Sequence, residues 1–402
     1  MGKAIMMVVK FFKKMVAFIG FDLVRKKQFE PAILHNVFKS EHTKKALLSY
    51  MKAPFLEGVK YTHSNYLECY TAGEILHELG FQVDVADWHD NITEPDFSQY
   101  ELVYGQGCPL EKAFYASNAE KLIKILYATG CNPFYAYKAS ALRVLNFYEE
   151  KKILLPNSSR IAQFFWSFQY TCSDLIISLG NQFVSETFTK LHKNIHCSPI
   201  NCFFFDAYDI DIDSKNLSEA RHNFLWFGST GLLHKGLDIA IDIFTKRTDI
   251  NLHICGASKS ETKFFEYYQP IIDNCSNIYD HGFVDIYSDK FRKLMDSCAF
   301  AIFPSVSEGG SPALLNVMAN GALIPIAFES VGIDIKEFGL LAEESFVGIN
   351  NAIEVAIKMD EQEILSKSKF TKHTIRSNYQ FEDYRINLKK IIANTISSLT
   401  LN

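Results

Sequence analysis

A chain of 402 residues, 48% of them hydrophobic and 22% charged, is long enough for two ordinary domains with a core each. Its formal net charge of −5 gives no electrostatic reason to expect nucleic acid as a partner. Nine scattered cysteines, odd in number and mostly inside apolar runs, argue against a disulfide framework and read as reduced core thiols of a cytoplasmic protein. Only Cys197 and Cys202 are close together, and no second pair or suitably spaced histidines accompany them, so no metal site is expected.

In chain order, residues 1–27 carry seven basic residues and one acid, and lysines interrupt the apolar run too often for a membrane span. At about 100° per residue Lys3, Lys10, Lys13 and Lys14 share one sector, with Ile5, Val8, Phe12, Met15, Val16 and Ile19 opposite. That is the pattern of a helix lying in an anionic membrane interface; a helix docked on the protein itself is the alternative. No small-residue cleavage site follows, which disfavours a signal peptide.

The first half then alternates strands and helices. Strands are predicted at 44–55, 81–88, 101–105, 124–130, 175–180 and near 194–198. Helices are predicted at 63–80, 111–122, 138–150, 159–171 and 184–193. An acidic, loop-like stretch at 206–222 reads as a linker. Alternation resumes with strands at 223–229, 251–256, 276–282, 298–305 and 322–328, a helix at 235–247, and a closing amphipathic segment at 381–396. Strands separated by helical patterns of this length indicate parallel sheets covered on both faces.

In such sheets ligands bind beyond the carboxyl ends of the strands, so the loops after Gly228, Gly256, Gly282 and Ser305 are predicted to open into one cleft. A dinucleotide fingerprint is missing: GQG at 105–107 and GSTG at 228–231 lack the third glycine. What stands out is FPSVSEGGSPALLNVMANG at 303–321, a strand, a glycine loop and a helix. Its glycines let an anion approach the backbone, the helix start offers free N–H groups, and Glu308 is placed to accept hydrogen bonds from a polyhydroxylated ligand. The run Asp209, Asp211, Asp213 has a metal-binding look but sits in the linker and reads as a solvated loop.

LWFGSTGLLHKGLD (225–238), DHGFVD (280–285) and the 303–321 stretch, in this order and spacing, resemble the nucleotide-sugar-binding half of glycosyltransferase family 4, retaining enzymes of the GT-B fold. ILYATG (125–130) and SDLIISLGNQF (173–183) more weakly resemble a subgroup from bacterial surface-polysaccharide pathways. The resemblance implies an α/β chain with two Rossmann-like parallel-sheet domains facing a central cleft: an acceptor domain at 28–208, joined by a closing helix at 377–402, and a donor domain at 220–376. Lys235 matches the lysine that pairs with the donor pyrophosphate, and Gly228, Ser229 and Thr230 the loop beneath it. The family often has an arginine where this chain has Ser229. Glu308 matches the first of two paired acids and would contact the transferred sugar. Gly309, Gly310 and Ser311 match the backbone that approaches sugar and phosphate. The second acid, which would bind ribose, falls on Asn316. Gly282 and Phe283 would lie near the base. On the acceptor side, the expected histidine position reads Asn132, and His63 is the candidate replacement. His234 and His281 are weaker cleft candidates, and His89 and Asp90 a surface pair.

The implied activity is transfer of a sugar from a nucleotide diphosphate donor to a lipid-linked or growing surface polysaccharide, without metal or cofactor, at the cytoplasmic face of a membrane. A catalytically weak sugar-nucleotide-binding or scaffold subunit is the alternative, motivated by Ser229, Asn132 and Asn316. A nucleotide-sugar epimerase of the same fold is a third.

Overall fold

The computed structural model describes residues 31–61, 63–160 and 167–400; the amphipathic stretch 1–27 lies outside the described residues, as does part of the helix expected at 159–171. Two sheets account for the strands. The first contains β1 (Ile33–Leu34), β2 (Lys44–Tyr50), β3 (Phe81–Asp87), β4 (Leu102–Gly105), β5 (Ile123–Ala128), β6 (Leu175–Leu179) and β7 (Cys197–Ile200). Their spatial order is β1-β3-β2-β4-β5-β6-β7, and all pairs except β1 with β3 are parallel. The second contains β8 (Asn223–Phe227), β9 (Asn251–Cys255), β10 (Ile278–Asp280), β11 (Phe300–Phe303), β12 (Ile324–Ala327) and β13 (Leu340–Leu341), in the all-parallel order β10-β9-β8-β11-β12-β13. The β-branched and aromatic runs that made these segments legible are buried on both faces, as parallel strands between helices must be.

Several elements differ from expectation. The strand predicted to run to Phe55 stops at Tyr50, because Pro54 cannot donate to a ladder and instead opens the short helix Ala53–Glu57. The helix expected at 111–122 is only Cys108–Ala113, and the strand expected near 194–198 begins at Cys197, where it pairs with β6. Conversely the helix expected at 138–150 starts earlier, at Pro133.

The linker is neither wholly solvated nor loose. Before its acids come Phe203, Phe204 and Phe205, all buried, and the Phe203 ring lies 5.0 Å from Tyr384 and 5.1 Å from Phe381. Those two partners begin the last helix, Phe381–Thr400, which packs back on the first domain: the hydroxyls of Tyr384 and Tyr127 are 3.0 Å apart, and Arg385 pairs with Glu78. The acids Asp206, Asp209 and Asp213 pair with Arg376, Lys372 and Lys369, which share one face of the helix Glu361–Asn378. Asn320, fully buried on the helix Pro312–Gly321, accepts from the N–H groups of Ala207 (2.9 Å) and Tyr208 (2.6 Å) and donates to the Phe205 carbonyl (3.0 Å). Among the described residues no helix is long and apolar enough to cross a membrane, and no group of three or more His, Cys, Asp or Glu is placed to hold a metal ion.

Because Phe203 joins the linker to the last helix in a packed core, Phe203→Ala is expected to cost about 3–5 kcal/mol, read as a lower urea midpoint with an unchanged slope.

Candidate active site

In the second sheet the strand order reverses between β8 and β11, the place where a parallel sheet leaves a crevice at its carboxyl edge. The loops leaving β8, β9 and β10 are stitched together there. Gly228 donates its N–H to the Cys255 carbonyl, and Gly256 donates to that of Gly282. Gly256 has φ +81°, and a Cβ on it would lie 2.1 Å from the Gly228 carbonyl oxygen, so no other residue fits.

The loop after β8 folds back through Gly236 (φ +63°, against Pro304) and directs Lys235 toward the loop after β11. Lys235 Nζ donates to Glu308 Oε1 at 2.6 Å, with 5% and 8% of the two side chains exposed. Ser305 Oγ donates to the same oxygen at 2.7 Å, while Arg160 Nη1 stands 3.5 Å from Glu308 Oε2. Burial alone would raise the Glu308 pKa, but Lys235, Arg160 and His234 outweigh it and hold the carboxyl well below the usual carboxylate range. Burial pulls Lys235 down to about 8 against the opposing effect of Glu308, leaving it protonated at neutral pH. The pair is therefore ionised on both sides.

Beyond Glu308 the backbone turns sharply. Gly310 has φ +68° and Ser311, unusually for a side-chain-bearing residue, φ +38°, held by its hydroxyl donating to the Val331 carbonyl at 2.6 Å. Pro312 then opens the helix Pro312–Gly321, whose first turn faces the cleft with Ala313. A Cβ on Gly309 would lie 2.1 Å from the Thr129 carbonyl oxygen, so this loop touches the backbone of the first domain.

The carboxyl ends of both sheets thus face one cleft of about 390 Å³, within the range of small-molecule sites. From the second domain it is lined by Gly228, Ser229, Lys235, Phe283, Glu308, Gly309, Ser311 and Asn316, and from the first by Tyr61, His63, Thr129 and Arg160. Phe283 is 76% exposed, an uncovered aromatic face at the cleft wall. His63 caps the helix Ser64–Glu78, its Nδ1 accepting from the Asn65 N–H at 3.2 Å. Desolvation and the charges of Arg160 and Lys235 lower its pKa, so the ring is neutral and carries its proton on Nε2.

Other expected residues lie elsewhere. Asn132 is buried as the cap of the helix Pro133–Lys151, its Oδ1 accepting from Phe134 N–H at 3.0 Å, and it does not line the cleft. Thr230 is exposed beside the cleft; Gly282 shapes a turn at φ +64°; Gly310 packs on Cys202 and Gly180 of the first domain rather than lining the cleft. Asn316 does line it, but its Oδ1 accepts from the Phe205 N–H at 2.7 Å, which leaves the amide nitrogen to meet a ligand. His234 is buried between the domains: Nε2 donates to the Ser307 carbonyl (2.7 Å), Nδ1 accepts from Ser140 Oγ (2.8 Å), and burial pulls its pKa to about 4. It is a neutral bridge between the domains. His281 stacks on His253, and Asp90 bonds Thr93 in a surface turn rather than His89. Arg160 carries no sequence signal of its own; it falls at the start of the helix expected at 159–171, just after the turn Pro156–Ser158.

No family model matches the chain, and no curated protein does. Solved structures do match over nearly its whole length. They include sucrose-phosphate synthase from Thermosynechococcus elongatus (TM-score 0.62, 14% identity, covering 89% of this chain and 100% of that one). A glycosyltransferase from Rickettsia africae ESF-5 (0.57, 12%, 88% and 99%) and Anabaena HepE in complex with UDP and glucose (0.55, 15%, 89% and 100%) are also similar. At these identities the likeness is one of fold: the chain has the GT-B fold, two Rossmann-like parallel-sheet domains about a cleft.

Removing one member of a buried ion pair leaves the other uncompensated, so Lys235→Met is expected to destabilise the protein by about 3 kcal/mol, and adding Glu308→Gln to recover most of the loss in a denaturant-unfolding double-mutant cycle.

Proposed function

We propose that the chain is a retaining glycosyltransferase of the family 4 type, which moves a sugar from a nucleotide diphosphate to a glycan acceptor, lipid-linked or part of a growing surface polysaccharide. The observation that carries this reading is the buried Lys235–Glu308 pair, set where β8 and β11 diverge and beside the start of the helix Pro312–Gly321. A lysine ammonium has three donors; one goes to Glu308 and the others remain for phosphate oxygens. The helix start adds backbone N–H groups and the positive end of its dipole. Glu308 Oε2, loosely paired with Arg160 at 3.5 Å, can accept from sugar hydroxyls, and Phe283 offers its face to a base. One similar fold was solved with UDP and glucose, which supports a nucleotide sugar as donor.

In this scheme the bond between the anomeric carbon and the β-phosphate oxygen breaks, and its electron pair leaves with the diphosphate. Lys235 and the helix start meet the charge that develops, with no metal assigned to the task. The acceptor hydroxyl attacks from the same face and passes its proton to the departing phosphate oxygen. His63, with Nδ1 occupied by its own helix, presents an N–H donor to the sugar and is not a base. Tyr61 and Phe205, rings 5.9 Å apart, supply aromatic surface suited to the apolar face of an acceptor sugar.

A sugar-nucleotide-binding subunit without turnover is the second reading, favoured by the commitment of Asn316 Oδ1 to the linker and of Asn132 to a helix cap. Release of diphosphate from a panel of nucleotide sugars and acceptors decides between them.

Calorimetry with UDP, GDP and ADP is expected to show binding that weakens as pH rises through about 8, where Lys235 loses its proton. Lys235→Ala should lower sugar transfer about 100- to 1,000-fold. A wild-type protein that binds no nucleoside diphosphate would overturn the reading. We assign residues 1–27 to an anionic membrane surface on the cytoplasmic side; their deletion should move the protein from the membrane to the soluble fraction, and unchanged fractionation refutes that assignment.

A further inference from the structure

The charges around the cleft do not balance for a diphosphate. Among the described residues its lining carries two lysine or arginine side chains, Lys235 and Arg160, and two acids, Glu308 and Asp285. Lys235 is buried and already cancelled by Glu308 at 2.6 Å. A departing diphosphate carries more than one negative charge, which a neutralised lysine and a helix start do not match alone. The loop after β8 adds little to make up the difference, because two of its backbone donors, Gly231 N–H (2.6 Å) and Leu232 N–H (3.1 Å), are held by the carboxylate of Glu261. Ser229 and Thr230 bring no charge.

Arg160 is held over that same loop by the first domain. The Ser158 carbonyl, two residues before it, accepts from the N–H groups of Leu233 (3.0 Å) and His234 (3.2 Å), which fixes the backbone there against the second domain. The Arg160 stem lies on Gly231, where a Cβ would come within 2.8 Å of its Cγ. Its guanidinium reaches Glu308 Oε2 only at 3.5 Å, a loose ion pair, and the side chain is 40% exposed where Lys235 is 5% exposed. A half-solvated guanidinium on a seated stem is free to turn at little cost, and its planar fork suits two phosphate oxygens.

We propose that Arg160 is the second cation of the diphosphate site, supplied across the cleft by the first domain. When a nucleoside diphosphate enters, Arg160 turns from Glu308 to the terminal phosphate, and Glu308 Oε2 is released to the sugar. The ligand then bridges the two domains, which a nucleoside monophosphate, lacking that phosphate, does not. The inference rests on the donor-site reading above.

The test is calorimetry of the full chain with UDP, GDP and ADP and with UMP, GMP and AMP, for wild type, Arg160→Ala and Arg160→Lys. For the base that wild type binds, Arg160→Ala should weaken the diphosphate about 10- to 100-fold and leave the monophosphate within about twofold, with part of the loss restored by Arg160→Lys. Equal diphosphate affinity in wild type and Arg160→Ala would overturn the inference and leave the donor site standing. A parallel loss for monophosphate and diphosphate would overturn it too, by assigning Arg160 a purely structural part. Wild type that binds no diphosphate would refute the donor site itself.

Discussion

Two opposite charges held at 2.6 Å out of reach of water are tolerable only if both remain in place, and much of the second domain is arranged to keep Lys235 and Glu308 so. β8 and β11 must lie side by side for their loops to meet. Gly236 must fold back tightly on Pro304, and Ser305 must aim its hydroxyl at the same carboxylate oxygen. Even the indole of Trp226 is recruited, its Nε1 donating to the Lys235 carbonyl at 3.1 Å. Together they hold an ionised pair at the wall of the cleft, with Arg160 standing beside the second carboxylate oxygen.

The cleft owes its width to contacts between the domains. Arg143 of the first domain grips Asp238 of the second with two bonds, 2.7 and 2.6 Å, and also donates to the Leu233 carbonyl; Lys151 reaches Asp242 at 2.9 Å. His234, neutral and buried, is shared between Ser140 and Ser307. Glycine 309 meets Thr129 backbone to backbone. These directional polar contacts flank an apolar patch in which Val144, Phe147 and Leu155 pack into the second domain's core, so the seam both holds the domains together and specifies their relative placement. That placement brings the first domain's Arg160 and His63 to a site whose other half lies more than sixty residues away in sequence.

How much of this was legible in the chain depended on whether a feature is local. β8, β9 and β11 end in glycine or Pro-Ser loops and begin helices, so their ends, and with them Lys235 and Glu308, could be found from pattern alone. Strand and helix ends drifted where prolines intervened, at Pro54 and Pro133, and the two-residue strands β1 and β13 are too short to show a period. The roles of Asn132 and Asn316 could not be read, because a cap and a linker tether depend on which neighbour the amide meets. Arg160 was invisible for the same reason in stronger form: its place is set by the Ser158 carbonyl bonding to another domain. Phe203 and Asn320 show the converse, in that a stretch with loop-like acids turned out to be anchored by residues just outside it.

Among the described residues the main chain passes between the domains twice, once through the linker pinned by Asn320 and again where the helix Glu361–Asn378 gives way to Phe381–Thr400 on the first domain. Two crossings placed side by side act like a door with a pair of hinge pins. Paired tethers of this kind restrict twisting and sliding of one domain on the other more than a single connection would. The same arrangement gives redundancy: a protease that cuts the exposed part of the linker severs the chain without parting the halves, since the returning helix and the packed Phe203 still span the gap.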